Sequence, residues 1–220
     1  MALLLKIDPG KPDEEKLAEA VRILLGGGVA AFPTETFYGL GADARNEAAV
    51  EKIFRIKGRD FRNPIALIVA DDREVSPLVE EIPATAKILM QKFWPGPLTL
   101  IFRAAPSVSP RLTGGSGKIG IRVSSHPIAR LLAAGLAGPL TATSANLSGG
   151  PECSSADAVI RTLGNFPDAI IDGGPTPGGA GSTILDVTAS PPRILREGAI
   201  PGGLIRDALN LTQVQPSREA

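Results

Sequence analysis

Residues 29–54, VAAFPTETFYGLGADARNEAAVEKIF, decide how this chain is read. The apolar run Val29–Phe32, between Gly26–Gly28 and Pro33, predicts a buried strand. The loop PTETFYGLGADA follows, and Asn46 caps a helix that carries Val50, Ile53 and Phe54 on one face. Strand, long loop and helix in this order make an α/β unit. Gly39–Ala44 also matches the dinucleotide fingerprint GxGxxG/A. That motif works only when the strand ends at its first glycine, so that the next helix points at pyrophosphate. Here Pro33–Tyr38 intervene, and a dinucleotide site is not expected.

Outward from this unit the pattern repeats. Strands are predicted at Leu3–Ile7, Ile65–Val69, Leu98–Arg103, Ile119–Val123, Leu140–Thr143, Ala169–Ile171, Thr183–Val187 and Arg193–Leu195. Helices are predicted over Glu14–Leu25 behind the Asp13 cap, Ala84–Phe93, Ile128–Ala134 and Ser155–Leu163 behind Ser154, with a last turn at Leu204–Leu209. The expected class is α/β, organised as one domain over residues 1–205 and a loose polar tail over 206–220.

Composition narrows the function. Balanced charge, 23 Lys+Arg against 23 Asp+Glu, gives no global field for nucleic acid or anionic lipid. With 43% hydrophobic and 21% charged residues in 220, the chain can bury a core without staples. One cysteine (Cys153) forbids an internal disulfide, and one histidine (His126) rules out Cys/His zinc clusters. The N-terminal apolar run is only three leucines, and no stretch approaches the roughly 18 residues of a membrane span, so a cytoplasmic protein is expected. The 25 glycines and 20 prolines fall between apolar runs, which suggests many sharp loops, where binding residues tend to sit.

Several motifs fail on inspection. Thr113–Lys118 resembles a phosphate loop, but Leu112 and Ile119 stand where GxxxxGK[ST] needs glycine and a hydroxyl. His126 precedes Pro127 and is expected to start a helix, not to act as a base. No GxSxG elbow supports a serine nucleophile, and Cys153 has no cationic neighbour in sequence to activate it. The cations say more. Lys52, Arg55, Lys57, Arg59 and Arg62 crowd eleven residues; the first two suit a helix end, whereas Lys57 and Arg59 lead into a loop. Arg122 interrupts an apolar strand and Arg196 ends another, which is costly unless each meets an anion. Together with the donor-rich stretch Thr141–Asn146, they suit a ligand with several negative groups.

PTETFYGLGADA, KGR, WPGPLTL, IGIRVSSHPIA, TSANLSG, IIDGG, STILDVT and LREGAI occur in this order across residues 1–205. In this series the chain resembles the YrdC-like domain family, whose characterised members are L-threonylcarbamoyladenylate synthases. The resemblance implies a twisted mixed sheet with flanking helices around a concave cationic cavity. It implies that L-threonine, bicarbonate (as carbon dioxide) and ATP give threonylcarbamoyl-AMP and pyrophosphate; ATP chemistry in turn implies Mg²⁺, with no ligand motif for it in the chain. The product would pass to a separate tRNA threonylcarbamoyl-transferase complex, which modifies the adenosine beside the anticodon. By resemblance, catalysis falls to Lys57, Arg59, Ser144 and Asn146, which hold ATP phosphates and the reacting carbamate. Threonine falls to Thr34, Thr36, Arg122, Ala142 and Ser182. Asn63, Lys118, Glu152 and Arg196 are added on the nucleotide side. Asp43, Asp172 and Asp186 are carboxylates open to a metal, with solvated loop ends as their plainer reading.

The chain departs from the pattern in places. Asp60 stands where many members have proline, and Ile68 where many have a histidine that contacts threonine. The large C-terminal domain of longer members does not follow, so any lid it supplies would come from elsewhere. Two other readings stay open: a non-catalytic YciO-like paralogue binding RNA or nucleotide, and carbamoyl transfer as in hydrogenase-maturation proteins.

Overall fold

Short apolar runs separated by turn residues give short strands, and amphipathic runs between them give the helices that cover the sheet. The computed structural model describes residues 2–210, so residues 211–220 of the expected tail lie outside the described residues. In chain order the elements are β1 (Leu3–Lys6), α1 (Glu14–Leu25), β2 (Ala30–Pro33), β3 (Tyr38–Gly41), α2 (Glu47–Lys57), β4 (Ala66–Ile68), α3 (Ala84–Phe93), β5 (Leu98–Arg103), α4 (Pro110–Thr113), β6 (Lys118–Arg122), α5 (Pro127–Leu136), β7 (Leu140–Ser144), α6 (Ala156–Leu163), β8 (Ala169–Asp172), β9 (Thr183–Asp186), β10 (Arg193–Arg196) and α7 (Gly202–Ala208). The strands form one mixed sheet in the order β1-β8-β2-β3-β7-β4-β6-β5-β9-β10. The α/β class holds, and α7 carries helix into the first residues of the expected tail.

Two apolar clusters cover the sheet. The smaller packs α1 and α5 against β1, β2, β8 and the ends of β4 and β7, through Leu24, Phe32, Ile68, Leu132, Leu136 and Leu140. The larger gathers Val50, Ile53 and Phe54 of α2 with Leu89 of α3, Val159 of α6 and Ile205 of α7. Helix starts follow local chemistry: Asp13 accepts from Lys16 N at 3.1 Å, and Asn46 from Ala49 N at 3.1 Å. The cap of α6 is Ser155, which accepts from Ala158 N, not Ser154 as expected.

The main difference from expectation is β3, a strand where the sequence predicts a loop. Tyr38–Gly41 pairs antiparallel with β2, Pro33 opposite Tyr38 and Ala30 opposite Gly41, so PTETFYGLG is a hairpin. Glycine has low strand preference and hid it. Its glycines are there for closeness: a Cβ on Gly41 would fall 2.1 Å from the Thr141 carbonyl oxygen of β7. The short α4 and the two 3-10 turns (Asp72–Glu74 and Ser76–Leu78) were also not expected from the sequence.

Candidate functional site

Because β2 and β3 form a hairpin, residues 34–37 are its tip, and the tip is closed by its own threonine. Thr34 Oγ1 donates to the Phe37 carbonyl at 2.6 Å and accepts from Thr36 N at 3.2 Å. Its hydroxyl also lies 3.1 Å from Thr36 Oγ1, so the two threonines are fixed as a pair. Behind them Tyr38 donates to the Gly174 carbonyl at 2.7 Å. Burial pushes this phenol up to about 12, so it stays neutral and acts as a strut.

Across the cavity stands the cationic group. Lys57 is the last residue of α2, and Gly58 ends the helix in the left-handed conformation at φ 57°. The Lys57 ammonium is almost fully buried and donates to the Ser144 carbonyl (2.5 Å), the Asn146 carbonyl (2.8 Å) and Asn146 Oδ1 (3.0 Å). Ser144 Oγ donates to the same Asn146 Oδ1 at 2.6 Å. Burial, with Arg59 nearby, lowers Lys57 to about 8. Arg59 donates to Thr143 Oγ1 and to the Pro64 carbonyl, each at 3.0 Å, and burial also lowers its pKa. Among the described residues neither cation forms a salt bridge.

Between these walls lies a cavity of about 210 Å³. It brings together Thr34, Thr36, Arg59, Arg122, Ala142, Ser144, Glu152, Ser182 and Arg196. Lys57 and Asn146 stand directly behind Ser144. Arg196 is tethered by donating to the Ser182 carbonyl at 2.8 Å, and Ser182 Oγ lies 3.1 Å from Thr99 Oγ1. Two of the sequence-based candidates stand off. Asn63 is exposed in the turn after Arg59, and Lys118 reaches Asp186 at 2.8 Å; neither lines the cavity.

The departures have local answers. Asp60 accepts from Arg62 N at 2.8 Å and pairs with the Arg62 guanidinium, so a side-chain turn fixes the backbone here. Ile68 is fully buried in the smaller cluster and does not line the cavity. His126 sits at the N-cap of α5, as expected, and Cys153 is a buried free thiol. Asp43 pairs with Arg45, Asp172 accepts from Gly174 N, and Asp186 pairs with Lys118. No cluster of three metal-ligating side chains occurs among the described residues, and the cavity wall offers one carboxylate, Glu152. Thr143, within the expected donor stretch, accepts from Arg59. Sequence reasoning missed Thr99 and Glu35. Thr99 carries no signal beyond lying in an apolar strand; the signal for Glu35 was the buried arginine that needed an anion.

The match to a family model described as telomere recombination (Sua5, YciO, YrdC) covers residues 22–198. The chain belongs to the Sua5/YciO/YrdC family. It is 42% identical over 161 residues to a threonylcarbamoyl-AMP synthase of Bacillus subtilis, covering 73% of this chain and 46% of that one. A threonylcarbamoyl-AMP synthase of Coxiella burnetii is 39% identical over 158 residues, covering 72% of this chain and 85% of that protein. In structure, the chain superposes on Pyrococcus abyssi Sua5 complexed with L-threonine with TM-score 0.90 and 38% identity. That match covers 95% of this chain and 61% of Sua5. Escherichia coli YciO matches with TM-score 0.83 and 32% identity, covering 90% and 97%. The chain spans about half the length of the first curated relatives it matches. No helix among the described residues is long and apolar enough to cross a membrane.

Proposed function

We propose that this chain is a threonylcarbamoyl-AMP synthase, joining L-threonine, carbon dioxide from bicarbonate and ATP with release of pyrophosphate. The observation that carries the reading is the uncompensated pair Lys57 and Arg59 on the wall that also presents Ser144, facing a hydroxyl-lined hairpin tip with Arg122 and Arg196 nearby. Threonine's deprotonated amine adds to carbon dioxide, and the carbamate oxygen so formed attacks the α-phosphorus as pyrophosphate departs. Carbamate and triphosphate are both anionic, so fixed cations and held geometry do the work. Arg59 and Ser144 would face the phosphates and carbamate, with Lys57 and Asn146 supplying charge and support from directly behind Ser144 and Glu152 and Arg196 at the rim. Thr34, Thr36, Ala142, Arg122 and Ser182 would hold threonine. Lys118 and Asn63 remain proposals for the outer nucleotide, Lys118 needing release from Asp186.

Mg²⁺ would come with the triphosphate, held mainly by phosphate oxygens and water, since the wall lacks a carboxylate cluster. The proposed setting is the cytoplasm, with the product handed to a tRNA-modifying transferase complex; weak RNA binding at the cationic rim is a further proposal. The relatives named as synthases favour this reading over an RNA- or nucleotide-binding role without synthesis, which the likeness to YciO keeps as the second reading. The test is pyrophosphate release with ATP, Mg²⁺ and bicarbonate. Release that requires L-threonine, with labelled bicarbonate carbon appearing in an adenylate, is the expected result. Structured-RNA binding with no release under any amino acid would favour the second reading.

A further inference from the structure

One carboxylate at the cavity has no part in the reaction just described. Glu35 lies between Thr34 and Thr36 at the hairpin tip, yet its side chain turns to the end of β6 instead of lining the cavity. There Oε1 lies 3.0 Å from Arg122 Nη1, with the two side chains only 11% and 10% exposed. The contact is off the line of a hydrogen bond, so Oε1 holds Arg122 Nη1 by charge and close approach. Ser124 Oγ donates to the other oxygen, Oε2, and itself accepts from the backbone N–H of His126 at 3.2 Å. Ser124 is fully buried, so this clamp does not compete with bulk water.

A charge pair at the buried end of an apolar strand is an expensive way to fill space, and an apolar pair would pack there at less cost. What the pair does achieve is direction. Glu35 takes one edge of the Arg122 guanidinium, while no hydrogen bond among the described residues takes its remaining N–H groups, and Arg122 lines the cavity. Burial lowers the Arg122 pKa, Glu35 opposes this, and Arg196 adds a smaller push in the same direction as burial. We propose that Glu35 is a positioning residue: clamped by Ser124, it orients the Arg122 guanidinium so that the carboxylate of the amino-acid substrate docks on its free edge. The inference rests on the reading in which that amino acid is threonine. It also explains why hairpin tip and β6 are tied together: the threonine pair and the arginine become one rigid unit.

The test is calorimetric titration of the whole chain and its variants with L-threonine and, separately, with ATP. Glu35→Gln keeps the shape and removes the charge; it should weaken threonine binding about tenfold or more, the scale of a charge-assisted contact, and leave ATP within about twofold. Glu35→Asp, which keeps the charge, should recover most of the affinity. Ser124→Ala should weaken threonine by about threefold with ATP unchanged. A purely structural Glu35 would instead lower thermal stability and weaken both ligands together, and that outcome overturns the proposal, as does unchanged threonine affinity in Glu35→Gln. If Glu35→Gln does not fold, Ser124→Ala decides alone: a threonine-selective loss supports the proposal and no change refutes it. Wild type that binds threonine but releases no pyrophosphate sinks the synthase reading and leaves the Glu35 comparison standing. Wild type that binds no threonine removes the docking role of Arg122, and this inference falls with it.

Discussion

The two ends of the cavity hold their cations in different ways. At one end Lys57 and Arg59 are held by carbonyls, an amide oxygen and a hydroxyl, all neutral, so their positive charge is left for something else to balance. At the other end Arg122 has its own carboxylate, Glu35, almost wholly out of water. A site that waits for a triphosphate and a carbamate needs surplus charge; a site that orients one carboxylate of a small zwitterion needs a fixed direction more than a strong field. The contrast teaches that the cation count read from the chain is less informative than what each cation is tied to.

Breaking the surplus end should have the largest effect. Arg59→Ala should lower pyrophosphate release by about 10²–10³, the usual loss when a preorganised charge donor is removed from a reacting oxyanion. Its thermal unfolding should shift little, because Arg59 supports only Thr143 and the Pro64 carbonyl. Unfolding of the variant instead would make Arg59 structural.

Breaking the directed end should act on one substrate. Arg122→Ala should raise the threonine KM by about 10–100-fold, the range of a charge-assisted hydrogen bond, with a smaller change in the ATP KM. An unchanged threonine requirement would refute the carboxylate role. The variant should also lose stability, since it leaves Glu35 buried without its partner.

pH sharpens the difference further. Lys57, lowered to about 8 by burial, loses its proton above that value, so ATP affinity should fall by roughly tenfold between pH 7.5 and 9.5. Its contribution to stability runs the other way. The folded form releases the proton first, so stability from this group rises as pH climbs from about 8 to the unfolded value of 10.5. Titration of ATP binding and thermal melts over the same pH series check both signs.

The smallest effect belongs to the turn beyond Arg59. Asp60→Pro should leave turnover within about twofold, because a fixed φ replaces the Asp60–Arg62 turn and the Asp60 amide donates no hydrogen bond among the described residues. A loss approaching that of Arg59→Ala would mean that the Asp60 carboxylate acts in the site itself.

Much of this was legible in the chain, for physical reasons. Leu98–Arg103 and Ala84–Phe93 match their predicted spans because a continuous apolar run and a stop at Trp94–Pro97 leave one reading. β3 was not legible: Gly39 and Gly41 serve contacts with Phe32 and Thr141 that only the folded sheet creates. At the site, the need of Arg122 for an anion was visible in the sequence; that Glu35, 87 residues earlier, answers it was not, because the pairing depends on the hairpin tip meeting the end of β6. Lys118 shows the converse. Its position in sequence suggested nucleotide, whereas its fold neighbour across β5 and β9 is Asp186.

The most direct test of the two-ended account is a crossed calorimetric titration of Arg59→Ala and Arg122→Ala with ATP and with L-threonine. The account predicts that Arg59→Ala loses ATP and keeps threonine, while Arg122→Ala loses threonine and keeps ATP. Equal loss of both ligands in both variants would contradict it, and would make the cavity one undivided cationic site.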